Sequence, residues 1–456
     1  VQSQVEAYAD FVRNKSQLDG RYGFKPTFHH PKAKDFQSSL VEFAVEQGMA
    51  ALFEDCGLGK SLQEMIWAEN VIRHTNKPVL LLSPLMVSMQ MVEEAEKFDF
   101  DAERSRDGTM KPGARIVLTN YEQLHKFDPV DFAGVVCDES SCIKNFEGSR
   151  KAEITEFMRM VKYRLLCSAT PSPNDYIELG TSSEALGQLG YMDMLGMFFK
   201  NDEDSLHPMF MGSKWRFKHH AEQDFWRWVC SWARAIRKPS DIGFSDDGYV
   251  LPELIEQEHV LESPPRPGMM FSVPAKGLAE EREERRATII ARCEKAAELL
   301  STSDCGVAWC QLNAEADALV AAIDGAEQIK GSDSDERKEE LLIAFKSGQL
   351  GKLVTKYKIT SLGLNWQHCS HMTDFPDHSF EQYYQSVRRL WRFGQKNAVR
   401  VDSVTTEGLA GVVKNRKRKS AAADEMFKVM IEQMNDALGL KRFHEHTSEQ
   451  EIPKWL

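Results

Sequence analysis

The chain has 456 residues, 42% hydrophobic and 28% charged, with a formal net charge of -12. A chain of that length and apolar content buries more than one core, so two domains are the starting expectation. The acidic balance excludes a protein that coats DNA by bulk charge but leaves room for a local basic track. No apolar run of about eighteen residues occurs, and Val1 to Gly20 is too polar for a secretory signal, so a soluble, cytoplasmic protein without a membrane partner is expected. Cys137/Cys142 and Cys305/Cys310 are each separated by four residues rather than the two typical of zinc ribbons, and the nine cysteines read as reduced thiols.

Short apolar runs ending in small or polar residues come first at Met49 to Phe53, Val79 to Ser83, Arg115 to Thr119, Gly134 to Cys137 and Arg164 to Ser168, with helical stretches between them. Strand alternating with helix implies a parallel sheet covered on both faces. The first run leads into Glu54-Asp55-Cys56-Gly57-Leu58-Gly59-Lys60-Ser61 and then a helical pattern from Leu62 to Ile72. Gly57 and Gly59 let the backbone turn its N–H groups toward a phosphate, Lys60 reaches the β/γ oxygens, and Ser61 can hold Mg²⁺. Glu54 stands where the full phosphate-loop pattern has a glycine. The fourth run ends in Asp138-Glu139, with Asp138 placed to bind Mg²⁺ through water and Glu139 to orient and deprotonate the attacking water.

The pattern stops near Asp175. An aromatic-rich stretch, Leu195 to Ile236, follows, in which Phe225, Trp228 and Trp232 at helical spacing read as a core stripe. A proline-rich link through Pro252, Pro264, Pro265, Pro267 and Pro274 reads as a crossing, and Ala279 to Leu300 as a solvated helix entering a second lobe. Apolar runs return at Gly306 to Cys310, Lys352 to Thr355, His371 to Phe375 and Val399 to Val404. Arg389 and Arg392, three apart on an expected helix, share a face, and if that face lines a cleft opposite Lys60 they reach the γ-phosphate when the lobes close. The basic run Lys414 to Lys419 reads either as a solvated loop or as a phosphate contact, before an amphipathic stretch through Met426, Phe427, Met430 and Met434.

The order of these strings resembles the superfamily-two motors, most closely their Swi/Snf-type branch, over about Phe36 to Val404. Phe36-Gln37 resembles the adenine-reading glutamine, and Gly57-Leu58-Gly59-Lys60-Ser61 the branch's phosphate loop. Ser83-Pro84-Leu85 and Thr119-Asn120-Tyr121 are similar to segments that touch the nucleic-acid backbone, which implies that role for Pro84, Thr119 and Asn120. Asp138-Glu139-Ser140-Ser141-Cys142-Ile143-Lys144-Asn145 is similar to the acidic box, with Ser140-Ser141 in place of Ala-His, so the coupling role of that histidine is not carried over. Ser168-Ala169-Thr170-Pro171 resembles the motif that couples hydrolysis to movement. Thr360-Ser361-Leu362-Gly363-Leu364-Asn365 resembles the fifth motif, implying Thr360 and Ser361 on nucleic acid and Gly363 at the nucleotide. Gln385 to Gln395 resembles the sixth, with Gln385 coupling and Arg389 and Arg392 as fingers.

The expectation is an α/β protein of two RecA-like P-loop lobes, each a mostly parallel sheet flanked by helices, with an aromatic-rich helical insert between them. The expected domains are 1–185 and 278–410 for the lobes, 186–277 for the insert and link, and 411–456 for a basic, helical tail. Function follows as an ATP- and Mg²⁺-dependent motor on nucleic acid, most simply a translocase on duplex DNA, with RNA and a protein complex partner left open. Its compact form resembles prokaryotic or phage-encoded members. A strand-separating helicase and a catalytically inactive scaffold are the competing readings.

Overall fold

The apolar runs become parallel strands. A computed structural model describes residues 22–144, 148–201, 215–218, 220–265, 273–360 and 365–446. The first lobe comprises the described residues up to Ser245 and those from Ala423 onward, and the second is Asp246–Ala422.

In the first lobe, β1 (Met49–Glu54), β2 (Val79–Ser83), β3 (Ala102–Arg104), β4 (Ile116–Asn120), β5 (Gly134–Asp138), β6 (Tyr163–Ser168) and β9 (Ala233–Ile236) form a seven-stranded sheet in the order β3-β4-β2-β5-β6-β1-β9. All its pairings are parallel. β2, β4 and β5 are buried along their whole length, as strands covered on both faces must be. A separate antiparallel pair, β7 (Phe199–Asn201) and β8 (Trp215–Phe217), pairs Phe199 with Phe217. Behind it the helix Ala221–Trp232 buries Phe225, Trp226 and Trp232, and Trp228 packs partly buried against the same core. The aromatic stripe is therefore core.

The second lobe holds β10 (Leu254–Leu261), β11 (Gly306–Cys310), β12 (Ala326–Gln328), β13 (Lys352–Lys356), β14 (His371–Asp374) and β15 (Val399–Thr406) in the order β10-β15-β14-β11-β13-β12, again with only parallel pairings. Trp309 stacks on Tyr357 with ring centroids 5.0 Å apart, and Phe345 meets Trp366 edge-on.

The expected insert of 186–277 is instead divided between the lobes. β9 extends the first sheet by pairing with β1, and β10 forms the edge of the second by pairing with β15. Edge position explains why β10 carries no apolar run: Glu256, Gln257 and Glu258 face solvent, where charge discourages pairing with another chain. The expected solvated helix at 279–300 is two helices, Leu278–Ala287 and Ile289–Leu300, meeting at Thr288. Its charges are partly interior. Glu284 accepts hydrogen bonds from Ser263 and Thr406, and fully buried Arg292 pairs with Glu315 at 2.7 Å.

The basic run is not a loop, because it lies on the helix Ala410–His446. Arg416 is buried against Asp374 at 2.5 Å, Lys417 pairs with Glu258, and Lys419 donates to the His378 carbonyl. Arg416 and Lys419 are spent on their own lobe, while Lys414, Lys417 and Arg418 are exposed. Further along the same helix, Met426, Phe427 and Met430 complete the apolar core of the first lobe. Phe427 also carries the Arg237 guanidinium over its ring at 4.8 Å. Truncating a buried phenylalanine costs about 3–5 kcal/mol, so Phe427→Ala should shift the first lobe's unfolding to lower denaturant, followed by tryptophan fluorescence. An unchanged midpoint would show that this helix does not belong to that core.

Candidate active site

Within the first lobe, strand order brings the phosphate loop and the acidic pair together. β6 lies between β1 and β5, with Phe53 opposite Ser168 and Asp138 opposite Cys167. The C-terminal ends of these three strands therefore present Lys60 and Ser61, Ser168 and Thr170, and Asp138 and Glu139 along one edge. Ligands of open α/β sheets gather at that edge.

The loop after β1 reaches the helix Lys60–Thr75 through two left-handed glycines, Gly57 at φ 91° and Gly59 at φ 86°. The left-handed backbone favours glycine at Gly59, where a Cβ would lie 2.3 Å from the Gln37 side-chain nitrogen and displace it. Gln37 braces the loop: its Nε2 donates to the Leu58 carbonyl at 2.7 Å and its Oε1 accepts from the Lys34 N–H. Lys60 Nζ donates to the carbonyls of Glu54 and Asp55, at 3.0 and 3.4 Å.

Four carboxyl groups gather round that one ammonium. Burial raises Glu54 to about 7, against the opposing charge of Lys60 and a hydrogen bond from Gln63. Asp138 is likewise raised to about 7, by burial and then by the charge of Glu139. Glu64, on the phosphate-loop helix, is pushed well above the carboxylate range by burial and then by Asp138. Burial alone would lower Lys60, but the anionic groups of Cys56, Glu139, Glu54 and Asp138 outweigh it and hold the lysine above its ordinary value. An excess of buried acid beside a phosphate loop is a donor set suited to a hard divalent cation.

Glu139 takes a left-handed conformation, φ 54° and ψ 52°, which is uncommon for a residue with a side chain. Its N–H donates to Asp138 Oδ1, and Tyr121 Oη donates to the Asp138 carbonyl at 2.5 Å, fixing the turn from both sides. Glu139 Oε2 is buried without a hydrogen-bond partner among the described residues. On the next strand the Ser168 hydroxyl accepts the Thr170 N–H at 3.0 Å, and both residues are buried.

The neighbouring strand ends carry Pro84 and Asn120, with Ser83 opposite Asn120. The Thr119 hydroxyl points elsewhere, donating to the Ser105 carbonyl from a buried position, so it is not available to a phosphate. Asn120 Oδ1 has no partner among the described residues.

In the second lobe, Gln385 and Arg389 share a face of the helix Phe380–Leu390, four residues apart. Arg392 does not, because the helix ends before it. Trp391 leaves helical geometry at ψ 80°, its indole donating to the Pro252 carbonyl, and Gln395 Nε2 donates back to the Leu390 carbonyl. The expected common face of Arg389 and Arg392 is thus corrected. Arg392 instead donates to the Asn365 side-chain oxygen. The Arg389 guanidinium lies over the Trp366 ring at 5.5 Å, and the Trp366 N–H donates to the Arg389 carbonyl. Asn145, Ser361 and Gly363, and the side chain of Thr360, lie outside the described residues.

Glu54, Glu64 and Tyr121 belong to the site without having been singled out from the sequence. Glu54 stood in plain sight as the acid replacing a glycine; Glu64 and Tyr121 join through contacts with Asp138, which no local pattern signals.

No protein-family model matches the chain, and no curated protein does. Among solved structures, a variant of Dbp5 from S. cerevisiae bound to RNA and ADP BeF3 is similar over 88% of this chain and 94% of its own, at 10% identity and a TM-score of 0.56. The likeness is one of fold: two RecA-like lobes, each a mostly parallel sheet flanked by helices. A SWI2/SNF2 ATPase core of Sulfolobus solfataricus in complex with dsDNA is also similar, over 89% of this chain and 98% of its own, at 17% identity and a TM-score of 0.42.

Proposed function

We propose that this chain is an ATP-hydrolysing motor that translocates on double-stranded DNA, of the Swi/Snf type. The observation that carries the reading is the cluster round Lys60: a glycine-turned phosphate loop, surplus buried acid, and an unpartnered Glu139 oxygen at the adjacent strand end. Lys60 neutralises the β/γ-phosphate oxygens, and the loop N–H groups hold them. Glu139 Oε2 takes the proton of the water that attacks the γ-phosphorus, as the bond from that phosphorus to the ADP oxygen breaks. Ser61 and Asp138 would hold Mg²⁺, which would supply charge neutralisation for the transferring group. Arg389 and Arg392 act as fingers that stabilise transition-state charge, a role that rests on the resemblance of Gln385 to Gln395 to the sixth motif. The Swi/Snf assignment rests on Gly57-Leu58-Gly59-Lys60 and on the Ile143-Lys144-Asn145 tail of the acidic box.

A strand-separating helicase is the second reading, and the antiparallel pair β7–β8 favours it, since a two-stranded projection is one form a wedge takes. Against it, the described residues from Asn365 to Gln385 hold one strand and the start of the arginine helix, with no further strands. The two readings part on one experiment at a single salt concentration, because phosphate-dominated binding is salt-sensitive. With ATP, displacement of a triplex-forming third strand while a forked duplex stays closed is the expected result. Efficient opening of the fork overturns it.

A further inference from the structure

At the N-terminal edge of the second sheet lies a group of side chains that the motor reading does not use. Cys305 immediately precedes β11, Lys352 opens β13 and Cys369 precedes β14. The registers, Gly306 opposite Lys352 and Val307 opposite Met372, set Cys305 between the two neighbouring strands. Cys305 is half-buried; Cys369 is fully buried. The Cys369 thiol, the His368 ring and the Lys352 side chain lie round the Cys305 sulfur. Cys369 Sγ also lies 3.4 Å from the His371 carbonyl oxygen. Lys352 is fixed there by donating to the Leu300 and Ser303 carbonyls.

We infer that Cys305 and Cys369 form a redox pair, with Cys305 the peroxide-reactive sulfur and Cys369 the thiol that resolves it into a disulfide. Extending the register from Val307 opposite Met372 puts Cys369 one residue before the position opposite Cys305 on a strand about 4.8 Å away, a diagonal within the spacing a disulfide spans. The partly exposed sulfur is the one that faces Lys352 and His368, and basic neighbours favour a reactive thiolate. In keeping with this, Cys369 first, and His368 and Lys352 after it, bring Cys305 down to about 5, while Cys369 is pushed well above the thiol range, first by Cys305 and then by burial. Burial raises the thiols of Cys137, Cys142, Cys167, Cys230, Cys293 and Cys310. Among the described residues no group of three or more His, Cys, Asp or Glu is arranged to hold a metal ion, which separates this pair from a zinc site.

The chemistry balances with hydrogen peroxide as oxidant. The Cys305 thiolate attacks one peroxide oxygen, the O–O bond breaks, and the departing hydroxide is protonated to water, leaving a sulfenic acid on Cys305. The Cys369 thiol then attacks that sulfur, the S–O bond breaks, and the thiol proton leaves with the hydroxyl as a second water. Two electrons pass from the two sulfurs to the peroxide. The disulfide would pin the segment Trp366–Cys369, whose backbone carries the Trp366 bond to Arg389 and accepts the Gln395 side chain at the Cys369 carbonyl.

The test uses the full chain exposed to a few equivalents of hydrogen peroxide, then capped with N-ethylmaleimide and mapped without reduction. A Cys305–Cys369 cross-linked peptide that dithiothreitol reverses is expected. Cys369→Ser should stop at the sulfenic acid and take dimedone on Cys305, whereas Cys305→Ser should leave Cys369 a free thiol. With the unsubstituted chain at pH 6, iodoacetamide should alkylate Cys305 ahead of Cys142, the half-buried thiol of raised pKa. Peroxide-treated chain in which Cys305 is still capped by N-ethylmaleimide, or is oxidised without linking to Cys369, overturns the pairing.

Discussion

Replacing Glu139 by glutamine is expected to leave ATP and Mg²⁺ binding in place while slowing hydrolysis by about 10²–10⁴-fold, the range over which a positioned general base acts. The amide keeps the size of the side chain and the left-handed backbone of the turn, but its Oε2 counterpart can no longer take a proton. Lys60→Ala should behave differently and lose turnover altogether. It removes the one ammonium among four carboxyl groups, so the nucleotide phosphates would meet uncompensated negative charge. Calorimetric titration with ATP and phosphate-release kinetics on the same samples separate binding from chemistry. Wild-type turnover by Glu139→Gln would remove the acidic pair from the active site.

Arg389→Ala is expected to hold nucleotide affinity within a modest factor and to lower the DNA-stimulated rate by about 10³–10⁵-fold, the worth of an arginine finger. An arginine that engages in the transition state rather than in the ground state affects rate before it affects binding. The side chain is buried against Trp366, so alanine also removes packing. Arg389→Lys controls for this: it keeps the stem and the charge but not the planar fork, and should recover little of the rate. Arg392→Ala, which breaks the bond to Asn365, should follow the same pattern. Parallel loss of affinity in both alanine variants, or an unchanged rate, would take these arginines out of the hydrolytic step.

What could be read from the sequence was what neighbours in sequence determine. β2, β4 and β5 were visible as apolar runs because a parallel strand covered on both faces has no polar side to show. The loop from Gly57 to Ser61 was visible because its glycines, lysine and serine are adjacent. Features set by distant partners were not. β10 reads as a polar, proline-flanked link because it sits at an edge and pairs with β15 from far along the chain. The end of the arginine helix at Leu390 depends on Trp391 finding the Pro252 carbonyl, 139 residues away, so periodicity carried the helix too far. Lys414 to Lys419 read as solvent-facing because nothing nearby announces that Asp374 and Glu258 neutralise Arg416 and Lys417.

The helix Ala410–His446 has a consequence for how the protein is made. The second lobe is one uninterrupted stretch of chain, whereas the first takes Met426, Phe427 and Met430 from beyond it. On a ribosome, which releases the chain from its N-terminus, the lobe begun first is therefore the one finished last. Its nascent sheet waits with an apolar face uncovered while the second lobe emerges whole. During that interval the nascent chain is most exposed to chaperones and to aggregation, and a fragment cut at residue 245 would remain there permanently.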